Sequence, residues 1–475
     1  MPALPEPDLV DLVILGAGCA GLSLAARLAS GDGDLRVVLV DPRTAFDDDR
    51  SWSFWQHDHH PLREIVAHEW SGWTYADLAG HEATHRVPGM SYQYIRGVDF
   101  YRWALAEIAG DDRIALRLGV AAHSLDTATL TDGSTGVRVT TDEGTQLARR
   151  VVDTRPRRTA ALLYQCFSGV EVEHGGALAT EPDAVGLMTR MRSGADGHGF
   201  VYVLPLSPTR ALVEWTRFSP VPLAEGVVVA ERDAELAAMG LAGATVVREE
   251  GGILPMGRMP VDEQPMPGVV LAGNAGGALR DASGYAFLRI QQWARRCADA
   301  LARGEDPAPH PAEPWVRRQM DRVFLQALRA HPERTADYFM AMARGVAPHR
   351  LLRFLTDRAT AGDLASIIVS LPLLPAGCGR RAADARAALR RRAVRDRPLP
   401  VARPAHGAGL PPREPRAAAC RADRRDRDPR RSARHAARRA RPAHRAPPRL
   451  LAHSADLRGL HPPLRRSRGG RRRPL

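Results

Sequence analysis

The chain has 475 residues, more than one hydrophobic core usually serves, so at least two lobes are expected. Its formal net charge of +13 misleads: residues 376–475 hold 30 arginines against 7 acidic side chains, which leaves 37 basic and 47 acidic groups, a net −10, in residues 1–375. That split argues against a basic, nucleic-acid-binding body, and five scattered cysteines without C-x-x-C spacing argue against a disulfide framework or a zinc site.

No lysine occurs anywhere, which points to a GC-rich gene, and the cysteine usage fits a reducing cytoplasm. No apolar run reaches membrane-spanning length, and the apolar N-terminus lacks the basic leader of a signal peptide. A soluble or membrane-peripheral protein is expected.

The strongest motif comes first. An apolar run from Asp11 enters Gly16-Ala-Gly18-Cys-Ala-Gly21, and an alanine- and leucine-rich helix leaves it. A second apolar run, Leu35 to Val40, ends at Asp41, twenty residues after Gly21. Strand, G-x-G-x-x-G, helix, strand and acidic end together form the dinucleotide-binding fingerprint. Gly16 permits the tight turn, Gly18 lets a pyrophosphate approach the backbone, and Gly21 lets helix and strand pack closely. Phosphates would lie at the positive end of the helix, with Asp41 toward an adenosine ribose and Arg43 close by.

An aromatic segment follows, Trp52-Ser-Phe54-Trp55, with Trp70 and Trp73 beyond it. Three aromatics in four residues suit neither one strand face nor one helix stripe, so a loop turning rings into a pocket is expected alongside the simpler core reading. His57, His59 and His60 read as a polar loop, since no partner has metal-site spacing. A helix is expected from Arg102 to about Ala109. Residues 114–152 read as a small antiparallel layer, ending in Asp153-Thr-Arg155-Pro156. That ending is either a strand-end turn or a segment returning the chain to a cofactor.

Residues 164–218 carry the alternation of a second-lobe sheet. Within it, Glu214 lies among Leu212, Val213 and Trp215. It either faces solvent or is half-buried, and burial would raise its pKa toward use as a general acid. Further on, Gly273-Asn274-Ala-Gly276-Gly277 follows a short apolar strand and precedes a helix to about Arg303. A nicotinamide domain has no need of this second glycine turn. A long flavin must be held at both ends, so the reading moves from NAD to FAD.

Residues 312–375 are expected to be mostly helical, with apolar stripes at 349–355 and 364–374 that serve packing or skim a bilayer. Beyond Pro375 the composition changes: residues 376–475 contain 13 prolines and no Phe, Trp, Tyr, Ile or Met. Such a segment cannot bury enough apolar surface to offset chain entropy. Reading a GC-rich gene out of frame yields this composition; a disordered linker and an arginine-rich nucleic-acid arm are the alternatives.

Taken in order, these motifs resemble the FAD-dependent lycopene β-cyclases of bacteria and plants over roughly residues 8–375. Arg50-Ser-Trp52-Ser-Phe54-Trp55 is similar to that family's Arg-Thr-Trp-x-Phe-Trp. Phe167-x-Gly169-x-Glu171-Val, Leu187-Met188, Tyr202-Val-Leu-Pro205, Glu214-x-Thr216 and Ser283-Gly284-Tyr285 follow in the family's order. Two positions depart from it, Trp215 and Thr189, where the family usually carries acidic residues.

The resemblance implies an α/β fold: a Rossmann-like FAD-binding domain of the flavoprotein monooxygenase and glutathione-reductase type, an inserted β-sheet substrate domain and a helical C-terminal part. Expected boundaries are 1–160 and 246–310 for the FAD domain, 161–245 for the sheet lobe, 311–375 for the helices and 376–475 for the tail. It implies redox-neutral cyclisation of lycopene or a related linear carotene to β-ionone rings, with reduced FAD and with NAD(P)H only as its reductant. Glu214 would be the acid; Trp52, Phe54, Trp55, Trp215 and Glu171 would line the pocket. Gly16, Gly18, Gly21, Asp41, Arg43, Asp153, Gly273, Asn274, Gly276 and Gly277 would hold the cofactor, with no metal. The protein would be cytoplasmic and touch the membrane peripherally. A flavin- and NAD(P)H-dependent hydroxylase or isoprenoid reductase on the same scaffold is the alternative, and nucleic-acid binding through the tail is the alternative of another class.

Overall fold

The computed structural model describes residues 8–372, apart from 158, 177, 179, 180 and 259–265. Residues 376–475, and with them the out-of-frame and nucleic-acid-arm readings, lie outside the described residues.

One sheet begins with the glycine fingerprint. Its strands run in the order Ile114–Leu118, Val37–Asp41, Leu9–Leu15, Gly144–Asp153, Thr135–Thr141, Ala122–Thr129. Leu9–Leu15 pairs parallel with both neighbours, and Val269–Leu271 pairs parallel with the end of Gly144–Asp153. A parallel strand covered on both faces must be apolar throughout, and Val10 and Leu12–Leu15 are all buried. Helices Cys19–Ala29, Gly97–Ile108 and Phe287–Ala302 share the core on one face. On the other, Val13, Leu15, Val38 and Val40 meet Val137, Val139 and Ala148. The fold is thus Rossmann-like α/β.

A second sheet runs Thr245–Arg258, Ala161–Glu173, Arg210–Ser219, Gly197–Ser207, Ala184–Gly194, Gly72–Asp77, Glu82–Arg86. Its pairs are antiparallel except Ala184–Gly194 with Gly72–Asp77. Alternation sorts the side chains onto two faces. Cys166, Val170, Val213 and Trp215 meet helix Glu225–Ala238. Leu163, Leu212, Phe218 and Met256 meet the C-terminal helices Trp315–Ala330, Thr335–Gly345, Pro348–Leu355 and Ala361–Ser370. A three-stranded sheet of Ser51–Gln56, Ser91–Arg96 and His68–Trp70 joins the two cores.

Four expectations are corrected. The aromatic segment is not a loop but the strand Ser51–Gln56, buried on both sides: Phe54 packs in the first core and Trp55 in the second. The helix after it begins at Gly97 rather than Arg102, directly from strand Ser91–Arg96. Ile114–Leu118 belongs to the parallel part of the first sheet, beside Val37–Asp41, so the antiparallel layer starts only at Ala122. Finally, Thr245–Arg258 pairs along Ala161–Glu173 as an edge of the second sheet, and the chain re-enters the first sheet at Val269, not at 246.

Candidate functional site

Three segments converge on one cradle. Gly16 has φ +96°, a region open to glycine, and a Cβ there would meet Thr154 Oγ1 at 2.7 Å. A Cβ at Gly21 would lie 1.9 Å from the Gly16 carbonyl oxygen, so helix and turn can close only over glycine. At Gly18 a Cβ would meet nothing within 4 Å; the space is open. Gly18 is also the N-cap of helix Cys19–Ala29, with no side-chain cap and no acidic residue in the first turn. Its leading N–H groups therefore face that space with the positive end of the helix dipole.

Asp41 Oδ2 accepts the Ala17 N–H at 2.6 Å, and Oδ1 accepts from the Arg43 backbone and Nε. Arg43 in turn lies over the Phe46 and Tyr101 rings. The second glycine turn reaches the first: a Cβ on Gly273 would stand 3.1 Å from Ala20 Cβ. Gly276 packs against the Ala272 backbone, Gly277 has φ +106°, and Asn274 is exposed. Beneath the turn, His310 Nε2 accepts the Gly273 N–H at 3.1 Å, with the imidazole stacked on Trp293. Burial pushes this histidine down to about 4, which keeps it neutral and accepting.

Asp153 sits differently from expectation. Its buried carboxylate is taken up by Arg155 and Arg157, and the neighbouring Thr154 touches the first glycine turn, donating from Oγ1 to the Leu15 and Gly16 carbonyls. Within Asp153-Thr-Arg155-Pro156 the charged residues carry the visible sequence signal, and a lone threonine gives none.

The second sheet supplies the ionisable centre. Glu214, Gly169 and Glu250 stand in register on three adjacent strands, with the glycine in the middle. A Cβ on Gly169 would come within 3.2 Å of both Glu214 Cβ and Glu250 Cγ. Glu250 accepts from Arg248 at 2.8 Å and from the Ser51 hydroxyl on both oxygens, at 2.9 and 3.0 Å. Glu214 receives the Thr216 hydroxyl at 3.1 Å. It keeps some accessible surface yet lies deep in the molecule. Burial first, then the charge of Glu250, push its carboxyl up to about 8, against the opposing pull of Thr216 and Arg248. It is therefore largely protonated near neutral pH. A deep carboxyl whose surroundings hold it protonated marks a candidate acid site. Glu250 was not singled out in the sequence, since nothing local reveals a register across three strands.

Beside Glu214 the cross-strand partner is Tyr202, which lines a cavity of about 680 Å³. Leu187, Met188, Phe200 and Phe218 continue the sheet wall; Phe324, Phe339 and Met342 close it from the helices. Tyr285, from the segment after the second glycine turn, lines the same space and interacts with Tyr92 and Tyr202. Burial lifts all three phenols far above their ordinary value, so they stay neutral. The only charged lining groups are Arg280 and Asp321, which pair with each other at 3.2 Å.

Of the aromatic residues expected around this pocket, Trp55 alone adjoins it, packing against Tyr285, Tyr92 and Trp73. Trp52 and Phe54 point the other way along the same strand and stack on Phe287 in the first core. Trp215 is likewise turned away: adjacent strand positions face opposite sides, so it meets helix Glu225–Ala238, donates to Glu231 and carries Arg192 on its ring. Glu171 shares the inner face with Glu214 but is clasped by Arg210 and Arg248, and neither glutamate is among the residues lining the cavity. Among the described residues, no group of three or more His, Cys, Asp or Glu could hold a metal, and no helix is long and apolar enough to cross a membrane.

A Rossmann-like layer joined to a sheet-and-helix lobe that holds an apolar cavity is the layout of a two-lobed α/β protein. The chain belongs to the lycopene cyclase family, whose model (Lycopene cyclase protein) matches residues 11–380. It is 29% identical to a lycopene beta-cyclase of Paracoccus sp. over 81% of this chain and 99% of the relative. To a lycopene beta-cyclase of Pseudescherichia vulneris it is 27% identical, over 78% and 97%. Among solved structures, a geranylgeranyl bacteriochlorophyll reductase-like protein of Thermoplasma acidophilum shares the fold, with TM-score 0.51 and 14% identity over 77% of this chain and 96% of that one.

Proposed function

We propose that the protein is a lycopene β-cyclase that closes the ψ-ends of a linear carotene by acid catalysis without net redox change. The observation that carries this reading is the protonated Glu214 carboxyl in register with Tyr202, whose ring lines an almost wholly apolar cavity. Glu214 gives its proton to the terminal double bond, the resulting tertiary cation is attacked by the next alkene, and the ring proton returns to the Glu214 carboxylate. No electrons leave, and the acid is restored. Tyr202, Tyr285, Tyr92 and Trp55 offer neutral π faces in a dry setting, where a cation–π contact is worth about 2 kcal/mol. General acid catalysis of this kind contributes roughly 10²–10⁴-fold.

The glycine cradle fits FAD: Gly18 leaves the room a pyrophosphate needs, and the uncapped helix offers its N–H groups to it. Gly16, Gly18, Gly21, Asp41 and Arg43 would hold the adenosine and phosphate end, with Asp153 steadying Arg155 at the turn. Gly273, Asn274, Gly276 and Gly277 would hold the flavin end. When bound and kept reduced by NAD(P)H, FAD supplies an electron-rich surface that favours a carbocation.

The substrate is a membrane solute. Val323 and Ile368, which line the cavity, are 61% and 44% exposed, and Trp315 and Val316 extend the same helix face outward. An apolar rim of this kind supports peripheral contact of a cytoplasmic enzyme with the bilayer.

Anaerobic incubation of the protein with lycopene and dithionite-reduced FAD tests the reading. Ring formation without NAD(P)H turnover supports it. A need for oxygen, or a product with fewer double bonds than hydrogen balance allows for cyclisation, would replace it with a hydroxylase or a reductase.

A further inference from the structure

We propose that Glu250 is the positioning residue that loads Glu214 with its proton, a fixed negative charge set across Gly169 for that purpose. This rests on the cyclase reading of the same site.

The geometry carries the inference. Strands in a sheet stand about 4.8 Å apart, so the two glutamates, each one strand away from Gly169, start about 9.6 Å apart at Cα and reach toward each other over a residue without a side chain. A β-carbon at position 169 would already press on both. Glu250 cannot turn away, because Arg248 holds Oε2 and the Ser51 hydroxyl meets both oxygens. Arg248 is itself fixed by the Tyr94 hydroxyl at 2.9 Å and by Glu171 at 3.3 Å. Glu214, by contrast, has a single hydroxyl donor and no salt bridge among the described residues. One carboxylate is thus anchored and charged, and its neighbour is left free to carry a proton.

Burial raises the Glu214 carboxyl most, and of the groups facing it Glu250 is the one that adds to that rise. Tyr202 comes from the neighbouring strand, Tyr92 from the three-stranded sheet, and Thr216 from its own strand. Tyr285 stands behind the two tyrosines. All of these are neutral. Arg248 acts in the opposite sense, holding Glu214 toward its charged form, and Glu250 outweighs it. After each proton transfer Glu214 becomes an anion beside a second anion, which draws the ring proton back.

Infrared titration of the protonated-carboxyl band, assigned to Glu214 by its absence in Glu214→Gln, reads this without any substrate. In Glu250→Gln the midpoint falls by about one unit or more, equivalent to about 1.36 kcal/mol per unit. In Glu250→Asp, which keeps the charge, it stays within about half of the Glu250→Gln shift. The alkaline limb of the cyclisation rate moves with the midpoint. Guanidinium unfolding of each variant confirms that the fold is intact, and Ser51→Ala, which loosens Glu250 without removing its charge, gives a smaller shift in the same direction. An unchanged midpoint in Glu250→Gln overturns the proposal even if the wild-type protein cyclises lycopene. A shifted midpoint in a protein that fails to cyclise lycopene leaves the pair standing and overturns the cyclase reading instead.

Discussion

Trp55 meets Tyr285 edge to face, with ring centroids 5.5 Å apart and planes at 77°. One ring comes from the small three-stranded sheet, and the other from the segment that follows the second glycine turn. The contact ties the cavity wall to the glycine cradle. Trp55→Ala removes a buried indole and should cost about 3–5 kcal/mol in urea unfolding. Among the described residues Trp55 Nε1 has no partner, so Trp55→Phe abandons no hydrogen bond to them and should retain most of the stability and turnover.

Gly21→Ala tests the cradle. The new methyl group would lie 1.9 Å from the Gly16 carbonyl, against backbone that cannot yield cheaply. Overpacking of this kind costs about 1–3 kcal/mol. The variant should purify with far less flavin absorbance than wild type while keeping its far-ultraviolet circular dichroism.

Glu214→Gln should abolish cyclisation with FAD still bound. It should also change how stability depends on pH. The folded carboxyl titrates near 8 against an ordinary value of 4.5, so between those limits the folded state binds more protons than the unfolded state. Stability must then fall as pH rises from about 4.5 to about 8. Melting temperatures of Glu214→Gln across that window should decline less steeply than those of wild type; parallel curves would contradict the buried-acid assignment.

Arg280 and Asp321 are both almost fully buried, and Arg280 also pairs with Asp357. Removing one partner of such a pair leaves an uncompensated charge, at about 3–5 kcal/mol. Asp321→Ala should lose roughly that much in urea unfolding, with Asp357 sparing the lower end of the range.

Val323→Asp and Ile368→Asp test the rim. Exposed substitutions generally alter stability by about 0.5 kcal/mol or less. Both variants should melt like wild type, yet float less with liposomes and turn over vesicle-borne lycopene more slowly than detergent-dispersed lycopene.

Local signals were legible in the sequence and non-local ones were not. The offsets of Gly16, Gly18 and Gly21 express one turn and one helix start, so the cradle could be read directly. The second glycine turn was equally plain, and its meeting with Ala20 follows from Val269–Leu271 pairing beside Asp153. Glu214 stood out as a carboxylate in an apolar strand. Period-two alternation places Trp215 opposite Glu214, and Trp52 opposite Trp55, whereas residue type alone does not distinguish the two faces. Glu250 needed the pairing of three strands, in which Gly169 meets Glu214 45 residues on and Glu250 81 residues on, and which leaves no mark within any one of them.

The parallel pairing of Ala184–Gly194 with Gly72–Asp77 has a consequence for protein engineering. The sheet that carries Glu214 is completed by two strands encoded before residue 90, so residues 161–258 are not an exchangeable cassette. A chimera that takes this stretch from one cyclase and residues 51–96 from another would present a foreign edge to Ala184–Gly194. Hybrids should be soluble when both stretches come from the same parent and aggregate when they do not.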